Sequence, residues 1–116
     1  MVAGNFNTTG NADAIIGAGS YNCATGVRST VVGGISSCAS GADTFIGAGC
    51  HNCATDSFGS VLGGFCNCNT GTCSTIGGGA CNIVTGAGST VGGGLSSIAS
   101  NCLSFVGAGS NNRSSG

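Results

Sequence analysis

A repeat of 15 residues runs through the chain from Asn7 onward without an insertion or a deletion. Every fifteenth position is asparagine or serine, the position nine residues later is valine or isoleucine, and the position twelve residues later is glycine. A fixed period without slippage is typical of a solenoid, in which each unit stacks on the one before it. The repeat therefore predicts one domain, residues 1–116, built from about seven to eight stacked units.

Residues at the same place in successive units form columns, and four of these columns define the repeat. The asparagine column contains Asn7, Asn22, Ser37, Asn52, Asn67, Asn82, Ser97 and Asn112. The alanine column, two residues later, contains Thr9, Ala24, Ala39, Ala54, Asn69, Val84, Ala99 and Ser114. The valine column, nine residues after the asparagine column, contains Ile16, Val31, Ile46, Val61, Ile76, Val91 and Val106. The glycine column contains Gly19, Gly34, Gly49, Gly64, Gly79, Gly94 and Gly109.

Each unit contains two short stretches in which inward and outward positions alternate, as in residues 22–26 and 29–34. A period of two is typical of β-strands, and the 25 glycines exclude helices. We expect an all-β fold, a flat parallel β-solenoid or β-roll, with two strands per unit and the valine and alanine columns facing each other inside. Asn69 interrupts the alanine column, and the sequence offers no reason for it.

The turns are expected where residues tolerate the left-handed backbone region. The first turn column, four residues after the asparagine column, contains only glycine, asparagine and aspartate: Asn11, Gly26, Gly41, Asp56, Gly71, Gly86, Asn101 and Gly116. These residue types predict a positive φ there and a second one at the glycine column. We expect the asparagine column at a corner, with its amides hydrogen-bonded along the solenoid axis.

Charged residues make up 4% of the chain, with two arginines, three aspartates and a net charge of −1. This surface cannot neutralise phosphates or anchor electrostatically to a membrane, and no apolar run approaches the ~20 residues of a spanning helix. We therefore expect no nucleic-acid or membrane partner. His51 is the single histidine and the aspartates are far apart, so no enzyme activity and no cofactor are expected. Asp13, Arg28 and Asp43 share one column and predict a mildly stabilising row of alternating charge.

Six of the nine cysteines form two stacks. Cys23, Cys38, Cys53 and Cys68 occupy successive units, and so do Cys66 and Cys81. Neighbours in a stack lie within the Cα separation that a disulfide permits, so Cys23–Cys38, Cys53–Cys68 and Cys66–Cys81 are candidate bridges. The alternative is a ladder of reduced thiols that act as small apolar groups. Cys50 and Cys53 flank His51 in a C-x-x-C pattern, but alternating side chains do not converge, and no metal site is expected.

The repeat Asn-x-Ala-x-Gly-x-x-Ser-x-Val-x-x-Gly resembles that of the grass ice-recrystallisation-inhibition (antifreeze) proteins over nearly the whole chain. In that family the repeat is x-x-Asn-x-Val-x-Gly-x-x-Asn-x-Val-x-x-Gly. The first valine is mostly alanine here, the cysteines are a further departure, and the second asparagine is replaced at Ser29, Thr44, Ser74, Ser89 and Ser104. The resemblance implies a left-handed β-roll with a flat ice-binding face and a secreted, extracellular protein. The repeat is also similar to the heads of trimeric autotransporter adhesins and to some phage tail fibres.

Two outward columns of the first strand form the candidate ice-binding face. The thiol column contains Thr8, Cys23, Cys38, Cys53, Cys68, Ile83, Ile98 and Arg113, and the threonine column contains Gly10, Thr25, Ser40, Thr55, Thr70, Thr85, Ser100 and Ser115. Together they are called the threonine face. Regular spacing, hydroxyl and methyl groups, and the lack of charge over the six central units favour an ice surface as the partner. The candidate residues are those of the six central units, from Cys23 and Thr25 to Ile98 and Ser100.

The second strand predicts a different kind of surface, called the opposite face. One of its outward columns contains Thr30, Phe45, Ser60, Thr75, Thr90 and Phe105, and the other contains Val32, Gly47, Leu62, Gly77, Gly92 and Gly107. Exposed Phe45, Leu62 and Phe105 suit a subunit interface better than ice. The alternative function is therefore a structural fibre or adhesin-head segment that self-associates through this face or stacks through open solenoid ends.

Overall fold

The structure, a computed structural model, describes residues 4–115. This part of the chain contains parallel strands and turns but no helix. The odd-numbered strands form an eight-stranded sheet and the even-numbered strands form a seven-stranded sheet. The strands are β1 (Thr8–Thr9), β2 (Ile15–Ile16), β3 (Cys23–Ala24), β4 (Thr30–Val31), β5 (Cys38–Ala39), β6 (Phe45–Ile46), β7 (Cys53–Ala54), β8 (Ser60–Val61), β9 (Cys68–Asn69), β10 (Thr75–Ile76), β11 (Ile83–Val84), β12 (Thr90–Val91), β13 (Ile98–Ala99), β14 (Phe105–Val106) and β15 (Arg113–Ser114).

Each strand pairs with the strand two places along the chain, at an offset of one 15-residue unit. Cys53 lies opposite Cys68 in one sheet, and Thr75 lies opposite Thr90 in the other. A third row of single parallel bridges follows one edge, for example between Ile35 and Cys50. The result is a flat slab of 39 × 22 × 12 Å. The predicted parallel β-solenoid is confirmed, and the left-handed winding stays a prediction.

The apolar core is a single layer of side chains between the two sheets. Every member of the valine column is buried, and so are the alanine-column residues from Ala24 to Ala99. One large residue faces one small residue, so a slab only 12 Å thick is filled without large aromatic side chains. The predicted pairing of these two columns inside the solenoid is confirmed.

The asparagine column joins successive units through its amides. The Asn82 Nδ2 donates to the carbonyl oxygens of Gly78 and Gly94 at 2.9 and 3.0 Å. Its Oδ1 accepts the backbone N–H of Ser97 at 2.9 Å. Buried amides need partners for both the donor and the acceptor, and the same arrangement recurs at Asn22, Asn52 and Asn67, so it stabilises all four units. The predicted amide ladder along the axis is confirmed.

A second buried polar column lies on the other wall and is called the serine column. It contains Ala14, Ser29, Thr44, Gly59, Ser74, Ser89 and Ser104. The Ser29 and Thr44 hydroxyls each donate to a first-turn-column carbonyl three residues earlier in the same unit, at 2.8 Å. These hydroxyls therefore close the first turn locally.

The turn prediction is half right. The glycine column has positive φ from 85° to 113° as predicted, but the first turn column does not. Two other columns contain the remaining left-handed residues. They are Arg28, Asp43, Phe58, Cys73, Gly88 and Leu103 in one column, and Phe6, Tyr21, Ser36, His51, Cys66, Cys81, Ser96 and Asn111 in the other. Gly116 of the first turn column lies outside the described residues.

Close packing between units, and not a positive φ, explains the glycines of the first turn column. A Cβ on Gly26 would lie 1.9 Å from the carbonyl oxygen of Gly41, and one on Gly86 would lie 2.0 Å from that of Asn101. Glycine is therefore favoured where one backbone approaches the next. Asn11, Asp56 and Asn101 occupy the same column, so a side chain is accommodated there in three units.

The left-handed residues reverse the direction of a backbone hydrogen bond. Strand N–H groups donate to the following unit, as Thr55 N–H donates to Asn69 O at 3.0 Å. By contrast, the N–H groups of Phe58 and His51 donate backward, to Ala42 O and Ile35 O, both at 2.9 Å. A non-glycine residue in this region costs about 1 kcal/mol, and the backward bond keeps the turn amide paired.

Asn69 is fully buried and fully hydrogen-bonded. Its Nδ2 donates to the carbonyl oxygens of Ser60 and Ser74 at 3.0 Å, and its Oδ1 accepts the N–H of Gly71 and the hydroxyl of Ser74. Gly59 breaks the serine column beside it, and a Cβ on Gly59 would lie 3.6 Å from the Asn69 Nδ2. The two exceptions are therefore neighbours, and the larger side chain occupies space that the smaller one leaves.

Candidate functional site

The threonine face lies on the outer side of the eight-stranded sheet. The in-register pairing of β7 with β9 brings Thr55 beside Thr70 on the next unit. Neighbours along each column are about 4.8 Å apart, and the two columns are separated by about 6.7 Å. Ser40 and Thr85 are exposed, and Thr25, Thr55, Thr70 and Ser100 are half-buried. The backbone therefore brings the predicted threonine-column residues together in one row.

Several hydroxyls of this row are oriented by the backbone of the next unit. The Thr70 Oγ1 donates to Val84 O at 3.3 Å, and the Thr85 Oγ1 donates to Ser100 O at 3.4 Å. Both contacts are long, so they orient the hydroxyl more than they stabilise the fold. Since each hydroxyl oxygen keeps lone pairs free of these bonds, it remains able to accept hydrogen bonds from water.

The thiol column runs parallel to the threonine column, and over the six central units it contains no arginine, lysine, aspartate or glutamate. The four thiols are half-buried, and the apolar Ile83 and Ile98 continue the column. Burial raises the pKa of Cys38 to about 11, with further increases from its neighbours Cys23 and Cys53. Burial and the adjacent Cys68 also raise the pKa of Cys53. Together with Ile83 and Ile98, the four cysteines place small, weakly polar or apolar side chains beside the threonines.

Arg28, Asp43 and Asp56 are the charged residues of the six central units, and they lie in the turns and not in the two outward columns of the threonine face. Arg28 and Asp43 form an ion pair on an edge of the slab, with the Arg28 Nε at 2.7 Å from an Asp43 oxygen. The hydrogen bond from Arg28 lowers the pKa of Asp43, and the same contact raises the pKa of Arg28, to which Asp13 adds. The predicted row of alternating charge is confirmed for the Arg28–Asp43 pair.

The opposite face is uneven, as predicted. Phe105 is 67% exposed and Leu62 is 54% exposed, whereas Gly77 and Gly92 leave the backbone bare between them. Glycine is favoured at these places because a Cβ on Gly77 would lie 2.3 Å from the carbonyl oxygen of Gly92. Side chains of such different size do not form a regular row.

One apolar edge was missed by the sequence reasoning. Ile35, Phe65 and Leu95 recur at every second unit in the row of single bridges and are about half exposed. Smaller residues, Cys50 and Ala80, alternate with them. The signal in the sequence is the 30-residue spacing between these large apolar residues. A 15-residue column does not reveal it, because the same column also contains Cys50 and Ala80.

Within residues 4–115 no cavity or cleft is present, and no three histidine, cysteine, aspartate or glutamate side chains gather where they could hold a metal ion. The same residues contain no helix long and apolar enough to cross a membrane. Any binding in the described part of the chain must therefore use its surfaces. No protein-family model and no curated protein matches the chain.

Proposed function

We propose that the chain binds ice through the threonine face. The observation that carries the proposal is the in-register stacking of β3, β5, β7, β9, β11 and β13, which repeats a hydroxyl-bearing residue and a small or apolar residue on six successive units. A crystalline surface is itself periodic, so only a periodic array can contact it at every unit. The opposite face does not satisfy this requirement, because the size of its outward side chains varies from unit to unit.

The energetics of such a surface favour stiff side chains over strong individual contacts. Each methyl or hydroxyl contact with ordered water is weak, and it adds to the others only when little side-chain entropy is lost on binding. Threonine has one χ angle and a β-branched Cβ, so it loses little. Long charged side chains such as lysine would lose more, and the chain contains no lysine.

The test compares matched substitutions on the two faces. We expect Thr55→Tyr and Thr70→Tyr to abolish thermal hysteresis, because a bulky ring lifts the neighbouring rows away from the ice surface. Thr75→Tyr, on the opposite face, is the matched control and should leave thermal hysteresis unchanged. Circular dichroism and the unfolding temperature establish that all three variants remain folded.

Two other outcomes would contradict the proposal. If Thr75→Tyr removes the activity and the two threonine-face variants keep it, the ice-binding surface is on the other sheet. If purified wild-type protein gives neither thermal hysteresis nor faceted ice crystals in a nanolitre osmometer, the proposal is wrong.

A second candidate function, a self-associating fibre or adhesin-head segment, is favoured by the exposed Phe45, Leu62 and Phe105 side chains of the opposite face. Burying them between copies would remove apolar surface from water. Sedimentation velocity distinguishes the two functions, because trimers or filaments support self-association and a monomer contradicts it. Replacing Phe45 and Phe105 with threonine should convert any such assembly to monomers.

A further inference from the structure

The thiol column places four cysteines in register on four consecutive units. Cys23 lies opposite Cys38, Cys38 opposite Cys53, and Cys53 opposite Cys68. Paired strands are about 4.8 Å apart, and a disulfide accommodates Cα separations of about 4.4–6.8 Å. Three neighbouring pairs are therefore close enough to bridge, but each sulfur forms one disulfide only.

Only one division of the four residues into neighbouring pairs uses every thiol of the column. Bridging Cys38 with Cys53 would leave Cys23 and Cys68 without a neighbouring thiol in the column, whereas the other pairing uses all four.

A third pair lies on the edge of the slab. Cys66 and Cys81 are one unit apart in the same column, and both have the left-handed backbone, with φ of 54° and 56°. Their side chains therefore leave the backbone in the same direction. Cys50 is near Cys66 but occupies the neighbouring column, opposite Phe65.

We propose that Cys23–Cys38, Cys53–Cys68 and Cys66–Cys81 are three reversible redox sites, each of which forms a disulfide between neighbouring units when a small-molecule disulfide such as oxidised glutathione is present. Cys50, Cys73 and Cys102 remain thiols. The inference does not rest on ice binding, so disulfide mapping and osmometry succeed or fail independently.

The chemistry at each site is thiol–disulfide exchange. One cysteine loses its proton, and its thiolate attacks oxidised glutathione, which breaks the glutathione disulfide and releases one glutathione thiolate. The second cysteine then loses its proton and attacks the mixed disulfide, releasing the second glutathione. Two protein thiols are oxidised to one disulfide, and one oxidised glutathione is reduced to two thiols. Reduced glutathione in excess reverses the exchange.

The arginines and aspartates of this sequence allow the pairing to be read by digestion. Full-length protein is equilibrated with oxidised glutathione, its remaining thiols are blocked with N-ethylmaleimide, and it is then unfolded. Arg28 lies between Cys23 and Cys38, so trypsin leaves residues 1–28 attached to 29–113 through that bridge until a reductant is added. Cleavage before Asp43 and Asp56 isolates residues 43–55, which we expect to remain attached to 56–116 and not to 13–42.

Two variants assign the bridges to individual residues. Cys50→Ser removes the other cysteine of residues 43–55, so the attachment to 56–116 must then involve Cys53. Cys23→Ser should release residues 1–28 while the Cys53 attachment persists. The intact mass of the wild type should show three N-ethylmaleimide adducts after oxidation and nine after full reduction.

Three results would overturn the proposal. The first is nine adducts after equilibration with oxidised glutathione, which would mean that no bridge forms. The second is release of residues 1–28 from the oxidised wild type. The third is a link between 13–42 and 43–55 in the Cys50→Ser variant, which would mean that Cys38 pairs with Cys53.

Discussion

The asparagine column and the serine column are both buried and polar, but they form different hydrogen bonds. The Asn67 Nδ2 donates to the carbonyl oxygens of Gly63 and Gly79, which belong to successive units. Its Oδ1 accepts the N–H of Asn82 in the next unit. The Ser29 hydroxyl bonds to Gly26 in its own unit. Ser89 differs, because its Oγ donates to Asn101 O in the next unit at 2.6 Å and accepts the Ser104 N–H at 3.0 Å. Side chains of the asparagine wall therefore join units repeatedly along the axis, whereas most hydroxyls of the serine wall close a turn within one unit.

The exceptions in each column support this difference. Ser97 replaces asparagine, and its buried Oγ has no hydrogen-bond partner among the described residues. Ser37 also replaces asparagine, and its hydroxyl reaches the Asn52 N–H at the longer distance of 3.3 Å. In the serine column Ala14 is buried without any hydroxyl. The asparagine wall therefore depends on its side chains more than the serine wall does.

The largest expected effect is from Asn67→Ala. The substitution removes three hydrogen bonds from a fully buried site, so we expect a loss of about 3 kcal/mol in the free energy of unfolding. Urea denaturation followed by circular dichroism measures the change. A loss no larger than that of a serine-column variant would remove the distinction between the two walls.

The second prediction concerns Ser97→Asn, which restores the asparagine column. The new amide should donate to the Gly93 and Gly109 carbonyls, as Asn82 does to Gly78 and Gly94, and should accept the N–H of Asn112. We expect a gain of about 2 kcal/mol in the free energy of unfolding, since an unpartnered buried hydroxyl is replaced by a paired amide. A destabilised variant would mean that this unit lacks room for the amide.

The smallest expected effect is from Ser29→Ala. Only the hydrogen bond to Gly26 is lost, and Ala14 shows that this column accommodates the smaller residue, so we expect a loss of about 1 kcal/mol. The same urea titration measures it. If Ser29→Ala destabilises the chain as much as Asn67→Ala, the serine wall is not the weaker of the two.

The architecture could be predicted because the repeat fixes which residues stack. With a constant 15-residue offset, the columns that contain Val31 and Ala39 are necessarily inward in every unit once they are inward in one. The asparagine ladder followed from the same logic. The rows of the threonine face could also be predicted, because outward positions alternate with inward ones along each short strand.

The positive φ of the glycine column could be predicted, but the other two left-handed columns could not, because their residues include Phe58, Tyr21 and Cys66. Their propensities argue against that region, and the backward hydrogen bond that favours it exists only once the neighbouring unit is in place. Conversely, the glycines of the first turn column suggested a positive φ. They are favoured instead because the backbone of the neighbouring unit leaves no space for a Cβ. A composition pattern does not distinguish these two reasons for glycine.

Asn69 shows a further limit of reasoning from single columns. Its partners Ser60 and Ser74 belong to the other wall, nine residues before it and five after it, and the space that it fills is left by Gly59. Only an inspection of two columns together relates the two exceptions. The apolar edge of Ile35, Phe65 and Leu95 was hidden for a similar reason, since it follows every second unit.

Because paired strands are always one 15-residue unit apart, the number of units can change without changing how neighbouring units contact each other. Duplicating or deleting one complete unit, such as residues 82–96, would leave the surviving units joined by the same kinds of contact. The outer rows would grow or shrink by one position, while the thickness and width of the slab would stay the same. Evolution and protein engineering can therefore adjust the reach of either surface by whole-unit steps without redesigning the interior.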